Sequence, residues 1–147
     1  MNTRDFTTTF SVDQSPQQVF DAINDVRGWW AGQIAGSTDK LGDEFTYRYK
    51  DFHTSKQRVT EFVPGSKVAW LVLESSLNFV EDRHEWNGTT IVFDIAKRGG
   101  RTEVTFTHAG LRSHHQCYRD CSSAWSSLIN GSLRTLITTG ERSQEEA

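Results

Sequence analysis

The sequence predicts an α+β domain in which a curved antiparallel sheet of six strands closes around one long C-terminal helix, with two short helices after the first strand. Three observations carry this. Alternating apolar and polar runs follow one another from Glu44 to His108 with short turn signals between them. Such a run folds as an antiparallel meander and excludes a doubly wound parallel sheet. The period then changes to that of a helix up to Gly140, and a capped amphipathic segment follows directly on the first run of alternation.

Taken in order, Phe6 to Val12 reads as a strand, with Phe6, Phe10 and Val12 on even positions and threonines between them. Ser15 suits an N-cap, Pro16 the first helical position, and Gln18 the position that reaches back to the cap. Val19, Phe20, Ile23 and Val26 follow at helical spacing; the helix breaks near Gly28, and Trp29 and Trp30 fall in a second short helical turn. Gly32 to Gly42 has no period and reads as a loop. Phe45, Tyr47 and Tyr49 share one face of the next strand, with Glu44, Thr46 and Arg48 on the other. Asp51 to Ser55 reads as a turn, Gln57 to Val63 as the returning strand, and Pro64-Gly65-Ser66 as a reversal. Lys67 to Glu74 is apolar on both faces, so the direction of Trp70 stays open. Ser75 to Gly88 is a longer polar connection carrying Phe79 and Trp86. Thr90 to Ala96, with Ile91, Phe93 and Ile95 on one face, meets Arg101 to His108 across the loop Lys97-Arg98-Gly99-Gly100.

The last element is a helix of roughly 25 residues. Ser113 and Gln116 offer a capping box, and the apolar stripe runs Tyr118, Cys121, Trp125, Leu128, Ser132, Leu136, widened by Ile129, Leu133 and Ile137. Gly131 inside it costs ~1 kcal/mol and points to a close backbone approach or a local bend. Residues 1–140 read as a single domain, and 141–147 as a disordered charged tail.

Whole-chain properties narrow the function. A length of 147 residues with 35% hydrophobic and 24% charged residues is that of one globular domain. A net charge of −3 without a basic run gives no footprint for nucleic acid or an anionic membrane. Met1 to Asp5 lacks the apolar stretch of a signal peptide and nothing later is long enough to span a bilayer, so a cytoplasmic location follows by default. Cys117 and Cys121 read as small buried apolar residues. His114 completes an H-x-x-C-x-x-x-C pattern, but paired CxxC spacing and a fourth ligand are missing, and no metal or other cofactor is expected. Nucleotide, serine-hydrolase and zinc-protease motifs are absent from the sequence.

The wide stripe of the last helix must bury against the concave face of the sheet. A strongly bent sheet around one helix rarely fills completely, and the gap is the expected place for a small, largely apolar molecule. The residues placed on its walls are Trp30, Tyr47, Tyr49, Trp70, Phe93, Phe106 and Trp125, for which core filling and cavity lining both remain open. Two polar residues join them. Glu61 alternates with Gln57, Val59 and Val63 against Lys56, Arg58 and Thr60, which turns it inward, and His108 shares a face with Val104 and Phe106. An inward Glu and an inward His can pair, orient a ligand, or do acid–base work. No nucleophile is visible beside them, so the reading leans away from catalysis. His53, His84, His114 and His115 fall in loops or at a helix start and default to solvent.

Ser15-Pro16-Gln17-Gln18-Val19-Phe20-Asp21-Ala22-Ile23, Trp29-Trp30, Thr105-Phe106-Thr107-His108-Ala109-Gly110-Leu111 and Trp125 come in the order of the START-like (SRPBCC) superfamily. The chain resembles its branch of homologues of the activator of heat-shock protein 90 ATPase, from about Phe6 to Gly140. The resemblance implies a Bet v 1-type helix-grip fold with an internal cavity whose entrance lies near Trp29 and Trp30. It also implies two alternatives to simple ligand binding: a small enzyme of cyclase or hydrolase type using the same cavity, and a domain that contacts a chaperone through its outer face.

Overall fold

The computed structural model describes residues 5–30, 33–38, 40–49, 53–77, 86–112 and 118–140. Strand β1 (Asp5–Val12) leads into helix α1 (Pro16–Asn24) and a single 3-10 turn (Val26–Gly28). Six further strands follow, β2 (Gln33–Gly36), β3 (Glu44–Tyr49), β4 (His53–Val63), β5 (Lys67–Leu77), β6 (Thr90–Arg98) and β7 (Arg101–Arg112). The chain then enters α2 (Tyr118–Ser127), a π-helical segment (Leu128–Leu133) and α3 (Arg134–Thr139). The strands form one antiparallel sheet in the order β1-β7-β6-β5-β4-β3-β2. Among the described residues no helix is long and apolar enough to cross a membrane.

The entry to α1 forms for the reason its sequence gives. Gln18 N–H donates to Ser15 Oγ at 3.1 Å and Ser15 N–H to Gln18 Oε1 at 2.9 Å, while Pro16 occupies the first turn. Val19, Phe20 and Ile23 are buried. The second short helix is shorter than expected, one 3-10 turn ending before Trp29.

The sheet has seven strands where the sequence predicts six. The extra one, β2, lies inside the stretch assigned to a loop, and pairs Gln33–Gly36 with Arg48–Phe45. It is a short, mostly exposed edge strand held by main-chain bonds, so hydrophobic alternation gives no sign of it. Its last residue has to be glycine. Gly36 has φ +105°, and a Cβ there would stand 2.5 Å from the Glu44 carbonyl oxygen. The strands also run further than their apolar patterns. β4 begins at His53 within the expected turn, β5 continues to Leu77, and β6 and β7 close on Gly99-Gly100 alone.

Two irregularities bend β4 and β5. Leu73 has no partner between the pairs Lys56–Glu74 and Gln57–Val72, and Thr60 none between Val59–Trp70 and Glu61–Ala69. Each adds one residue to one strand and reverses the faces beyond it. The helix carries a matching irregularity. Cys121, Trp125, Ile129, Leu133 and Ile137 are the buried positions, one every four residues. In a pure α-helix a step of four drifts by about 40°. The wider i→i+5 turns of residues 128–133 absorb that drift and keep the row against the sheet. Leu128, Ser132 and Leu136 of the expected stripe are accordingly only half-buried. Gly131 makes no close approach, since a Cβ there would meet nothing within 4 Å; it sits in the π segment, the local irregularity that was the other expectation. The capping pair Ser113 and Gln116, the tail 141–147, and Phe79, His84, His114, His115 and Cys117 lie outside the described residues; Cys121 is buried and free.

Candidate functional site

The concave face of the sheet and the row of buried helix residues meet over a continuous set of aromatic rings. Of the residues expected to line the interior, Trp30, Tyr47, Trp70, Phe93, Phe106, His108 and Trp125 are all buried, and ring contacts join them into one cluster. Tyr49 is half-buried at its margin. The open direction of Trp70 is settled: it points inward with Val68 and Val72 and is fully buried.

Glu61 is a correction. Its side chain is about half exposed and lies 3.5 Å from Lys67 Nζ on the outside of the sheet. The unpartnered Thr60 reverses the alternation just before it, so Phe62 takes the inward place and packs edge-on to Phe20 at 4.9 Å. The expected Glu61–His108 pair does not form.

His108 instead sits in a directed chain of hydrogen bonds. Trp125 Nε1–H can only donate, so His108 Nδ1 accepts from it at 3.0 Å and the ring proton rests on Nε2. That N–H donates to Thr89 Oγ1 at 2.8 Å, whose hydroxyl donates to the Trp86 carbonyl at 2.6 Å. Gly110 makes the approach of Thr89 feasible: at φ +102° it has no Cβ to meet Thr89 Cγ2, which would be 2.7 Å away. The chain ties β7, the turn at 86–89 and α2 together, and it uses both nitrogens of a fully buried neutral imidazole.

Around it stand Gln57, expected inward, and three residues expected elsewhere: His53, assigned to solvent, Ser55, assigned to a turn, and Trp86, assigned to a polar connection. His53, Ser55, Gln57 and Val59 share the inner face of β4, and Trp86 hangs over that face from a turn bonded alongside β5 (Gly88 N–H to Val72 O and Val72 N–H to Thr89 O, both 2.9 Å). Tyr47, His53, Trp86, Trp125 and Trp30 close a circuit of rings. Successive centroids lie 5.1, 4.4, 5.8, 5.1 and 4.0 Å apart on returning to Tyr47. Each ring comes from a different segment: β3, β4, the 86–89 turn, α2 and the stretch after the 3-10 turn.

This part of the interior is polar as well as aromatic, and its polar atoms are not all satisfied. Gln57 Nε2 donates to Ser55 Oγ at 2.9 Å, but Gln57 Oε1 has no protein partner. His53 Nε2, Trp70 Nε1 and Trp86 Nε1 are likewise buried without one. His53 is only half-buried by area, yet Nε2, its inner edge, is shut off from solvent, and burial pulls its pKa from 6.5 down to about 3. The imidazole is therefore neutral at neutral pH. An open groove of about 250 Å³ across β3, β4 and β5 is lined by Thr46, Thr54, Ser55, Lys56, Glu74, Ser75 and Ser76, and touches the polar interior at Ser55.

The model of the family described as "Activator of Hsp90 ATPase homolog 1-like protein" matches residues 13–138. No curated protein matches the sequence. Among solved structures, the Aha1 dimer from Colwellia psychrerythraea superposes with a TM-score of 0.74, at 22% identity over 93% of this chain and 98% of its own. MLL2253 from Mesorhizobium loti gives 0.72 at 12% identity, over 90% and 96%. DynU16, from the dynemicin biosynthetic locus, gives 0.69 at 15% identity over 97% of this chain but only 51% of its own. At these identities the likeness is one of fold.

Proposed function

Because this chain belongs to the activator of Hsp90 ATPase homolog 1-like family, within the START-like superfamily, we propose that it binds a small, largely apolar molecule between its sheet and its C-terminal helix. The place is the circuit of Trp30, Tyr47, His53, Trp86 and Trp125. One observation carries this: a closed ring of aromatic side chains from five segments holds buried polar atoms that the protein leaves unpaired. A core built only for stability pairs or omits such atoms, because each one left alone in the interior costs about 1–3 kcal/mol. Apolar walls with a few convergent polar groups are the composition of a small-molecule site.

The ring that yields is Trp86. Its backbone is anchored, but its indole N–H makes no hydrogen bond, so rotating the side chain breaks none. Catalysis is less well supported, since the acid–base candidate His108 is engaged at both nitrogens and Glu61 lies outside. For chaperone contact, the exposed large hydrophobics among the described residues are Leu41 and Val63 alone. An apolar fluorescent probe titrated into the protein is expected to saturate one site and quench tryptophan emission, with weaker binding to Trp30→Ala. Absence of saturable binding sinks the reading.

A further inference from the structure

The unpaired atoms define the chemistry of the ligand, an inference that rests on the ligand-binding reading just given. They fall in two groups, His53 beside Trp86, and Gln57 linked to Trp70 through Phe45. His53 and Gln57 are on one face of β4 with Ser55 between them, and the His53 ring stands edge-on to Trp86 at 4.4 Å. Gln57 and Phe45 are paired across β3 and β4, and Phe45 touches Trp70 at 5.3 Å. The set offers two N–H donors that cannot accept, Trp70 Nε1 and Trp86 Nε1. It offers one acceptor, Gln57 Oε1, on the amide whose Nε2 donates to Ser55 Oγ. His53 Nε2 supplies either role according to tautomer.

No Lys, Arg, Asp or Glu is among the buried residues described. A carboxylate would enter without a counter-charge. An ammonium group would meet indole N–H groups that repel it, and the aromatic faces that favour cations would have to outweigh both that and its desolvation. A neutral group with a carbonyl acceptor beside an N–H or O–H donor matches the set.

We propose that the circuit, with Gln57 beside it, recognises a flat ring bearing a neutral carbonyl-and-donor edge of the amide or lactam type, with Trp86 donating to the carbonyl and Gln57 accepting from the donor. The test compares four probes built on one ring, toluene, benzamide, benzoate and benzylammonium, titrated into the full chain by calorimetry. Benzamide is expected to bind about tenfold more tightly than toluene, as one or two net hydrogen bonds allow. Benzoate and benzylammonium are expected to bind more weakly than toluene. In Gln57→Leu the advantage of benzamide over toluene shrinks to within about threefold. Trp86→Phe, which keeps a ring and removes the donor, does the same and guards against a variant that fails to fold. Toluene binding as tightly as benzamide, or benzoate binding best, overturns the assignment while leaving the ligand site in place. Binding of none of the four overturns the site with it.

Discussion

Two histidines stand almost perpendicular to the ring of Trp86, His53 at 4.4 Å and His108 at 4.6 Å, and their surroundings are opposites. His108 has a donor on one side and an acceptor on the other, in a chain that ends on a main-chain carbonyl. His53 presents a buried Nε2 with no protein partner, two residues along the strand from Ser55 and four from Gln57, itself half satisfied. Closed polar networks hold a fold in one arrangement; open ones spend stability at the place where something else is to be held. One aromatic interior thus has a half closed by hydrogen bonds and a half left open, the latter being where binding is proposed, and Trp125 belongs to both.

The largest effect belongs to the residue that joins the closed network to the ring circuit. Trp125→Ala removes a fully buried ring in contact with Trp30, Trp86, Phe106 and His108, together with the donor to His108. A loss of ~3–5 kcal/mol in urea unfolding is expected. A loss below about 1 kcal/mol would mean that the row of buried helix residues is not packed as described.

Next comes the direct contrast. His108→Leu leaves the Trp125 N–H without its acceptor and is expected to cost about 2–3 kcal/mol. Gln57→Leu gives up one hydrogen bond to Ser55 but also removes an unpaired buried oxygen, so its cost is expected within about 1 kcal/mol. Equal costs for the two would erase the distinction between the halves.

Much of this was legible in the sequence, for reasons particular residues make clear. The capping box at Ser15 and Gln18, the apolar faces of β3, β6 and β7, and the inward His108 rest on strict period or local chemistry. What escaped has physical causes of two kinds. Thr60 and Leu73 are single residues without strand partners, and nothing in their types distinguishes them from paired neighbours; the first put Glu61 on the wrong face. Ser55 and His53 continue the odd-numbered inward face of β4 on which Gln57 is expected, but polar side chains at those positions read as a turn. The signal that would have found them was the charged face opposite, Lys56 and Arg58, which persists beside them. Trp86 has no periodic context, and its only sign was a tryptophan in a polar connection. The four-residue spacing of Cys121, Trp125, Ile129, Leu133 and Ile137 was visible, and its persistence around Gly131 was the trace of the π segment.

A pH series tests the burial of His53. Burial depresses the pKa of His53 to about 3 in the folded chain from 6.5. The unfolded state therefore binds the extra proton first. The stabilisation is complete above pH 6.5 and is lost as pH falls from there toward 3, by up to about 1.4 kcal/mol per unit. His53→Gln carries no such proton, so its unfolding midpoint should fall less steeply than that of the native chain between pH 6.5 and 4, with carboxylate contributions common to both. Parallel curves would show that Nε2 is not confined to the interior.

The smallest effect tests the bulge. Outside the sheet Glu61 faces Lys67 across 3.5 Å with its side chain about half in water, and exposed pairs of this kind contribute about 0–1 kcal/mol. Glu61→Gln keeps the shape and removes the charge, so unfolding should shift by under about 0.5 kcal/mol and shrink further in salt, whose screening already weakens the pair. Affinity for the apolar probe should be unchanged, since the side chain lies on the far side of the sheet from the ring circuit. The same substitution at an inward position would behave differently, because a buried carboxylate changes both stability and the polarity of whatever it lines. A change in probe affinity would put Glu61 back inside, with Thr60 paired in the ladder and Phe62 turned out to solvent.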